Sequence, residues 1–99
     1  MTNTEWVEHV RACSKEYTDF NYCVIALNGE AGEVAEWYKK AVLRGNPDRL
    51  TDQQLMHELG DVLFYLTRIA SLKDWTLEQV MLANKLKLDA RQRLGKEVG

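Results

Sequence analysis

The chain has 99 residues, of which 45% are hydrophobic and 28% are charged, a balance typical of one folded domain with a small core. The formal net charge is -2 and the chain has no basic run, so a nucleic-acid ligand is not expected. No apolar stretch approaches the roughly 18 residues that cross a bilayer, and we expect a single cytoplasmic domain over residues 1–99 with no membrane partner.

Apolar periodicity predicts four helices, over residues 4–18, 21 to 43 or 44, 52–72 and 77–94. The apolar stripes that predict them include Tyr17, Tyr38, Leu59 and Met81, so these side chains are expected on the core faces. The segment Gly-Asn-Pro-Asp at 45–48 is the clearest break. Thr51 with Gln54, and Thr76 with Gln79, each match a capping box at a helix start. No segment alternates with period two long enough to form a strand, so the predicted fold is all-α. Its small core favours an oligomer.

A short pattern of two acids and an aromatic residue occurs twice, 28 residues apart. Each copy reads acid-x-Gly-acid-Val-x-x-aromatic, and the residues concerned are Glu30, Glu33 and Trp37, then Glu58, Asp61 and Tyr65. At about 100° per residue, both acids of each copy lie on the shoulder of the apolar stripe of their helix. Charged residues rarely occupy the edge of a buried face unless something satisfies them.

The four carboxylates can meet if the second and third helices form an antiparallel hairpin. The first pair lies about 19 Å before the end of its helix and the second pair about 13 Å after the start of the next, a difference that the connection can absorb. Two carboxylates about 4 Å apart repel by about 4 kcal/mol at an effective dielectric of about 20, so four of them need protons or a cation. Oxygen ligands alone favour Mg²⁺, with Mn²⁺ as a close substitute.

Other interpretations of the acids are weaker. They include solvated acids paired with neighbouring cations, namely Lys39, Lys40 or Arg44. A zinc protease is disfavoured because Asp61 stands where a motif beginning at His57 needs a second histidine. A di-iron site is disfavoured because neither His9 nor His57 lies three positions after a glutamate. Cys13 and Cys23 lack metal-type spacing and are expected to be buried.

The fourth predicted helix carries a polar stripe, Asn84, Lys87 and Arg91, that continues its apolar face. A basic extension of a core-facing stripe calls for an anion, either the acids of the preceding helices or a bound polyphosphate. The alternative is that the two cations snorkel from the core edge and complement the helix dipole.

The order and spacing of these motifs resemble those of MazG-like nucleoside triphosphate pyrophosphohydrolases, in the all-α superfamily that also holds dimeric dUTPases and phosphoribosyl-ATP pyrophosphohydrolases. The shared elements are Glu30-x-x-Glu33, Glu58-x-x-Asp61 and Asn84-x-x-Lys87-Leu88-x-x-Arg91. The resemblance implies a four-helix bundle completed as a homodimer or a dimer of dimers. It also implies a nucleoside triphosphate (NTP or dNTP) substrate, cleaved between the α and β phosphates to a nucleoside monophosphate and pyrophosphate.

The resemblance also assigns roles to individual residues. It implies Mg²⁺ held by the four acids, Glu30, Glu33, Glu58 and Asp61. Lys87 and Arg91, with Asn84, would hold phosphate oxygens. Trp37 and Tyr65 would contact the base or pack beneath the site.

One position departs from the family pattern. Many relatives carry a glutamate immediately before the first motif acid, and this chain has Gly29 there. The catalytic base is therefore left unassigned. Two other functions stay open, a nucleotide-binding or regulatory module without turnover and a purely structural dimerisation domain. In the latter, Phe64 and Met56 would suit a subunit interface.

Overall fold

The structure, a computed structural model, describes residues 1–45 and 51–95 and contains four α-helices in these ranges. They are α1 (Asn3–Cys13), α2 (Phe20–Leu43), α3 (Asp52–Leu72) and α4 (Leu77–Arg93). The described residues contain no strand, which confirms the all-α prediction. None of the described helices is long and apolar enough to cross a membrane.

Helix α1 is shorter than its apolar periodicity predicts. It begins at a capping box between Thr2 and Glu5, which the sequence reading missed, and it ends at Cys13. The next residue, Ser14, has an extended backbone, and its hydroxyl donates a 2.6 Å hydrogen bond to the carbonyl oxygen of Val10. That bond satisfies a carbonyl of the last turn without another turn of helix. As a result Tyr17, expected on the apolar face of α1, is exposed.

The capping predictions for the later helices hold in part. The box between Thr76 and Gln79 is confirmed at the start of α4. At the start of α3 the hydroxyl of Thr51 accepts from the backbone of Gln54, but the side chain of Gln54 accepts from the indole of Trp37 instead of closing the box. The break predicted at 45–48 begins at a left-handed Gly45, with φ 69°, and its other residues lie outside the described ranges.

The packing of α2 against α3 is the largest helix contact, and it is antiparallel. Near the start of α2, the Phe20 ring lies 4.5 Å from the ammonium of Lys73, just past the end of α3. Towards the other end, the Trp37 indole donates a 3.1 Å hydrogen bond to Gln54 in the first turn of α3. This arrangement places the middle of α2, which carries the first acid pair, beside the first half of α3.

Two polar contacts attach the other helices. The Trp6 indole of α1 donates a 2.8 Å hydrogen bond to the hydroxyl of the fully buried Thr67, which in turn donates to the carbonyl of Leu63. The amide of Asn3 donates a 2.7 Å hydrogen bond to the carboxylate of Glu78 in the first turn of α4. Beyond this contact α4 packs only lightly on α3.

The buried core of one chain is small. Among the described residues, the buried apolar ones are Val10, Cys23, Ala41 and Ala70. Several residues expected on core faces are exposed instead, among them Tyr38, Leu59 and Met81. Cys13 is also exposed, contrary to the prediction for both cysteines. The apolar faces of α2, α3 and α4 are therefore only partly covered within a single chain.

Candidate metal and phosphate site

Three of the four predicted acids meet at the α2–α3 contact. Glu30, Glu33 and Glu58 each place a carboxylate oxygen so that the three oxygens lie within 4.8 Å of one another. The spacing of the first copy puts Glu30 and Glu33 one turn apart on α2, and the antiparallel packing brings Glu58 of α3 beside them. Such a set of carboxylate oxygens is one that a hard divalent cation can use.

Asp61 lies at the edge of this cluster. It is exposed and lines a neighbouring cleft between α1 and α3, together with His9, His57 and Phe64. Its charge still acts on Glu30, since it contributes to the electrostatic repulsion at that carboxyl. The structure thus brings three carboxylate oxygens within 4.8 Å of one another, and it places Asp61 close enough for its charge to act on Glu30.

One oxygen of the cluster lacks any partner. Oε2 of Glu58 is inaccessible to solvent and accepts no hydrogen bond in the described part of the chain. A buried carboxylate oxygen left unsatisfied is costly, because the ion has lost its water without gaining a donor or a cation. The residues present therefore fit a bound cation, which would satisfy this oxygen and offset the repulsion among the acids.

The raised pKa of Glu30 agrees with a need for a cation at this cluster. Burial raises the pKa of Glu30 above its ordinary value, and the charges of Glu33, Asp61 and Glu58 raise it further. Each of these effects disfavours the ionised form of Glu30. A divalent cation among the same oxygens acts in the opposite direction and favours ionisation.

The two aromatic residues of the repeated pattern have different surroundings. Trp37 is committed to the hydrogen bond with Gln54 and so helps hold α2 on α3. Tyr65 lies with its ring centroid 6.3 Å from that of Tyr22. Burial, followed by the Tyr22 hydroxyl and the Glu30 charge, raises the pKa of Tyr65 to about 12. Tyr65 therefore stays protonated at neutral pH and remains a hydrogen-bond donor beside the acids.

The basic stripe of α4 does not reach the acids within one chain. Lys87 is exposed and Arg91 half-buried, and neither forms an ion pair within 4 Å among the described residues. Asn84 lines an apolar groove between α1, α3 and α4 that has Trp6 and Met81 in its walls. The separation agrees with the light packing of α4 on α3.

Comparison with known proteins matches this chain to a known domain. Residues 20–94, which span α2, α3 and α4, match the model of the MazG nucleotide pyrophosphohydrolase domain. The chain belongs to this family. The Gene 37 protein of Mycobacterium phage L5 is 37% identical over 78 residues, which cover 76% of this chain and 68% of the phage protein. No solved structure matches significantly.

Within the MazG domain, the glycine that precedes the first acid occupies open space. A Cβ built on Gly29 meets no atom within 4 Å, so a larger side chain fits there without displacing a neighbour. The absence of an acid at this position is therefore a property of the sequence rather than a steric requirement of the fold.

Two further residues near the site were not predicted from the sequence. Tyr22 lies against Tyr65, and Arg68 lies two turns beyond Asp61 on α3. Arg68 was detectable in principle, since it continues the line of Glu58, Asp61 and Tyr65 at the tenth position from Glu58. Tyr22 carried no such signal, because its proximity depends on how α2 packs on α3.

The raised pKa of Glu30 predicts how the stability of the cation-free protein depends on pH. The folded state holds the proton of Glu30 more tightly than the unfolded state does. The free energy of unfolding should therefore fall as pH rises from the ordinary value of 4.5 through the raised pKa. At pH 7 in chelator, Glu30→Gln should raise Tm by a few degrees in thermal denaturation.

Added Mg²⁺ should raise the Tm of the wild-type protein and leave that of Glu30→Gln almost unchanged. Glu36→Gln is the matched control, since Glu36 is an exposed acid of the same helix outside the cluster. Equal Mg²⁺ shifts in all three proteins would contradict a cation site at Glu30.

Proposed function

We propose that this chain is a Mg²⁺-dependent nucleoside triphosphate pyrophosphohydrolase, which cleaves NTP or dNTP between the α and β phosphates. Water adds to phosphorus, the bridging P–O bond breaks, and the products are a nucleoside monophosphate and pyrophosphate. The observation that supports this most is the carboxylate of Glu58, which lies within reach of Glu30 and Glu33 and has a buried oxygen with no partner among the described residues. Membership of the MazG family supports the reaction class.

The chain's own residues have defined tasks in this proposal. Glu30, Glu33 and Glu58 hold Mg²⁺, or Mn²⁺ in its place, and Asp61 completes the set from the edge of the cluster. A bound divalent cation supplies charge neutralisation on the phosphates and a more acidic water. Tyr65, protonated at neutral pH, is available to donate to a phosphate or sugar oxygen. The cytoplasmic location stays a prediction.

Turnover provides the direct test. Wild-type protein with Mg²⁺ should release pyrophosphate, and no orthophosphate, from at least one member of a panel of canonical and modified triphosphates. Glu33→Gln or Asp61→Asn should lower kcat by about a hundredfold or more, because charge stabilisation at the phosphates is lost. The Glu36→Gln control should retain wild-type turnover. No product from any triphosphate would reject the enzyme assignment.

A second candidate function, nucleotide binding with little or no turnover, is favoured by Gly29. An acid next to the metal ligands can act as general base for the attacking water, and this chain lacks one there. In that case nucleotide binds in the presence of Mg²⁺ but product accumulates slowly or not at all.

The variant Gly29→Glu distinguishes the two candidates. Its side chain fits in open space, and the change removes a glycine from a helix interior, so the fold should be retained or stabilised. If the missing acid limits catalysis, Gly29→Glu should raise kcat by about tenfold to a thousandfold. Gly29→Gln is the control, since it has the same shape without the carboxylate. Equal kcat in both variants and wild type would show that another group serves as base.

We also propose that two copies of the chain associate as a homodimer, or as a dimer of dimers. The supporting observation is an open apolar groove of about 740 Å³, with Trp6, Leu63, Leu66 and Met81 among the residues in its walls. Apolar surface in an open groove of this size is costly to leave in water, and a second copy would cover it. The proposed phosphate-binding role of Lys87, Arg91 and Asn84 then depends on where α4 lies in the dimer.

The oligomeric state checks this proposal. Light scattering after size exclusion should give at least twice the chain mass of 11.4 kDa. Met81→Glu places a charge in the groove and should shift the protein towards monomer and lower its Tm. Ala83→Glu adds the same charge to an exposed position of α4 that does not line the groove, and it should leave the mass unchanged. A monomeric wild-type protein would contradict the proposal.

A further inference from the structure

Arg68 lies on the same face of α3 as the acids of the site. On a helical wheel Glu58, Asp61, Tyr65 and Arg68 fall within about 80° of one another. Arg68 is seven residues beyond Asp61, about 10 Å along the axis, but helical side chains lean towards the N-terminus of their helix. The long arginine side chain is therefore biased back towards Tyr65 and the acid cluster.

The guanidinium of Arg68 has no partner in the described part of the chain. Its Nε is inaccessible to solvent and donates no hydrogen bond, and no carboxylate lies within 4 Å of the group. A buried N–H of a charged group left unpaired costs more than a neutral one, so an acceptor from outside the described chain is expected.

The nearest candidates within the chain do not supply that acceptor. Arg68 lies close enough to Cys23 for its charge to act on the thiol, but burial raises the pKa of Cys23, so the thiol is neutral and offers no counter-charge. Asp19 is near the same thiol, but its carboxylate caps α2 by accepting from the backbone of Tyr22 at 2.8 Å. It forms no ion pair with Arg68.

A polyphosphate that binds at the acid cluster needs positive charge beyond that of the metal ion. The acid cluster repels phosphate oxygens, and a bound divalent cation offsets this only at the phosphates that it touches. The basic residues of α4 are not in contact with the acids within one chain. A guanidinium is suited to phosphate because its donors match two oxygens at once.

We propose that Arg68 binds the pyrophosphate portion of the substrate, at the end of the α2–α3 contact that lies away from Trp37. This inference rests on the proposed function and adds to it a phosphate ligand supplied by α3 of the same chain. In the sequence of α3, Tyr65 lies between the acids and Arg68. The α2–α3 contact therefore presents, in order, the guanidinium of Arg68, the hydroxyl donor of Tyr65 and the carboxylates that would hold the metal.

The test uses inorganic pyrophosphate as the probe, in Mg²⁺, with binding measured by calorimetry. Arg68→Gln should weaken pyrophosphate binding by about tenfold to a hundredfold and raise KM, because a hydrogen bond to a charged group is lost. The Tm increase caused by Mg²⁺ alone should persist, since the acid cluster is intact. Arg11→Gln removes the same charge from an exposed position of α1 and should leave binding unchanged.

A measurement on the wild-type protein covers the case in which the variant does not fold. In ¹⁵N NMR, the Nε–H signal of Arg68 should shift when pyrophosphate is added in Mg²⁺, and that of Arg11 should not. If pyrophosphate binds while the Arg68 signal stays fixed, or if Arg68→Gln binds it with wild-type affinity, the role of Arg68 is rejected and the proposed function survives. If the protein neither binds pyrophosphate nor hydrolyses any triphosphate, both are rejected.

Discussion

The antiparallel packing of α2 against α3 is the contact on which the rest of the structure depends. It brings Glu58 of the second acid pair to Glu30 and Glu33 of the first, 28 residues earlier in the repeated pattern, and it is held at both ends by side chains outside the cluster. Phe20 against Lys73 secures one end, and Trp37 with Gln54 secures the other. Because both ends are fixed, three carboxylates are kept within 4.8 Å despite their mutual repulsion.

That repulsion connects stability with function. Glu30 has a raised pKa, Glu58 has an oxygen without a partner, and both are half-buried where water cannot fully solvate them. A folded domain has only about 5–15 kcal/mol of stability, so an uncompensated cluster of this kind is a significant load. A cation that relieved this load would also stabilise the fold, so metal binding at the proposed site would be linked to folding.

The kind of side chain also changes along the α2–α3 contact. Acids occupy its middle, a protonated tyrosine follows, and the guanidinium of Arg68, which has no partner among the described residues, lies beyond it. Such an order suits a ligand with several negative groups in a row, because each group meets a different kind of partner. The apolar groove beside α4 is a separate feature, and the proposed second copy would add stability by covering it, because the buried core of one chain is small.

Much of the fold and part of the site were predictable from local sequence signals. The repeated acid pattern placed Glu30 with Glu33 and Glu58 with Asp61 on helix faces, because helical spacing depends only on neighbours in the chain. The box at Thr76 was predictable for the same reason. The end of α1 was not, because the hydroxyl of Ser14 competes with continued helix for the carbonyl of Val10.

The sequence by itself thus determined the all-α class, three of the four helices within one residue at each end, and which acids share a helix face. Only the tertiary structure decided which of them meet, since Asp61 stands at the edge and the α4 stripe lies apart. It also decided that Gln54 accepts from Trp37 instead of closing its own helix cap, and that Arg68 has no partner in the part of the chain that the structure describes. The physical reason is that periodicity sets the direction of a side chain from its helix, whereas its neighbours depend on how far and at what angle the next helix packs.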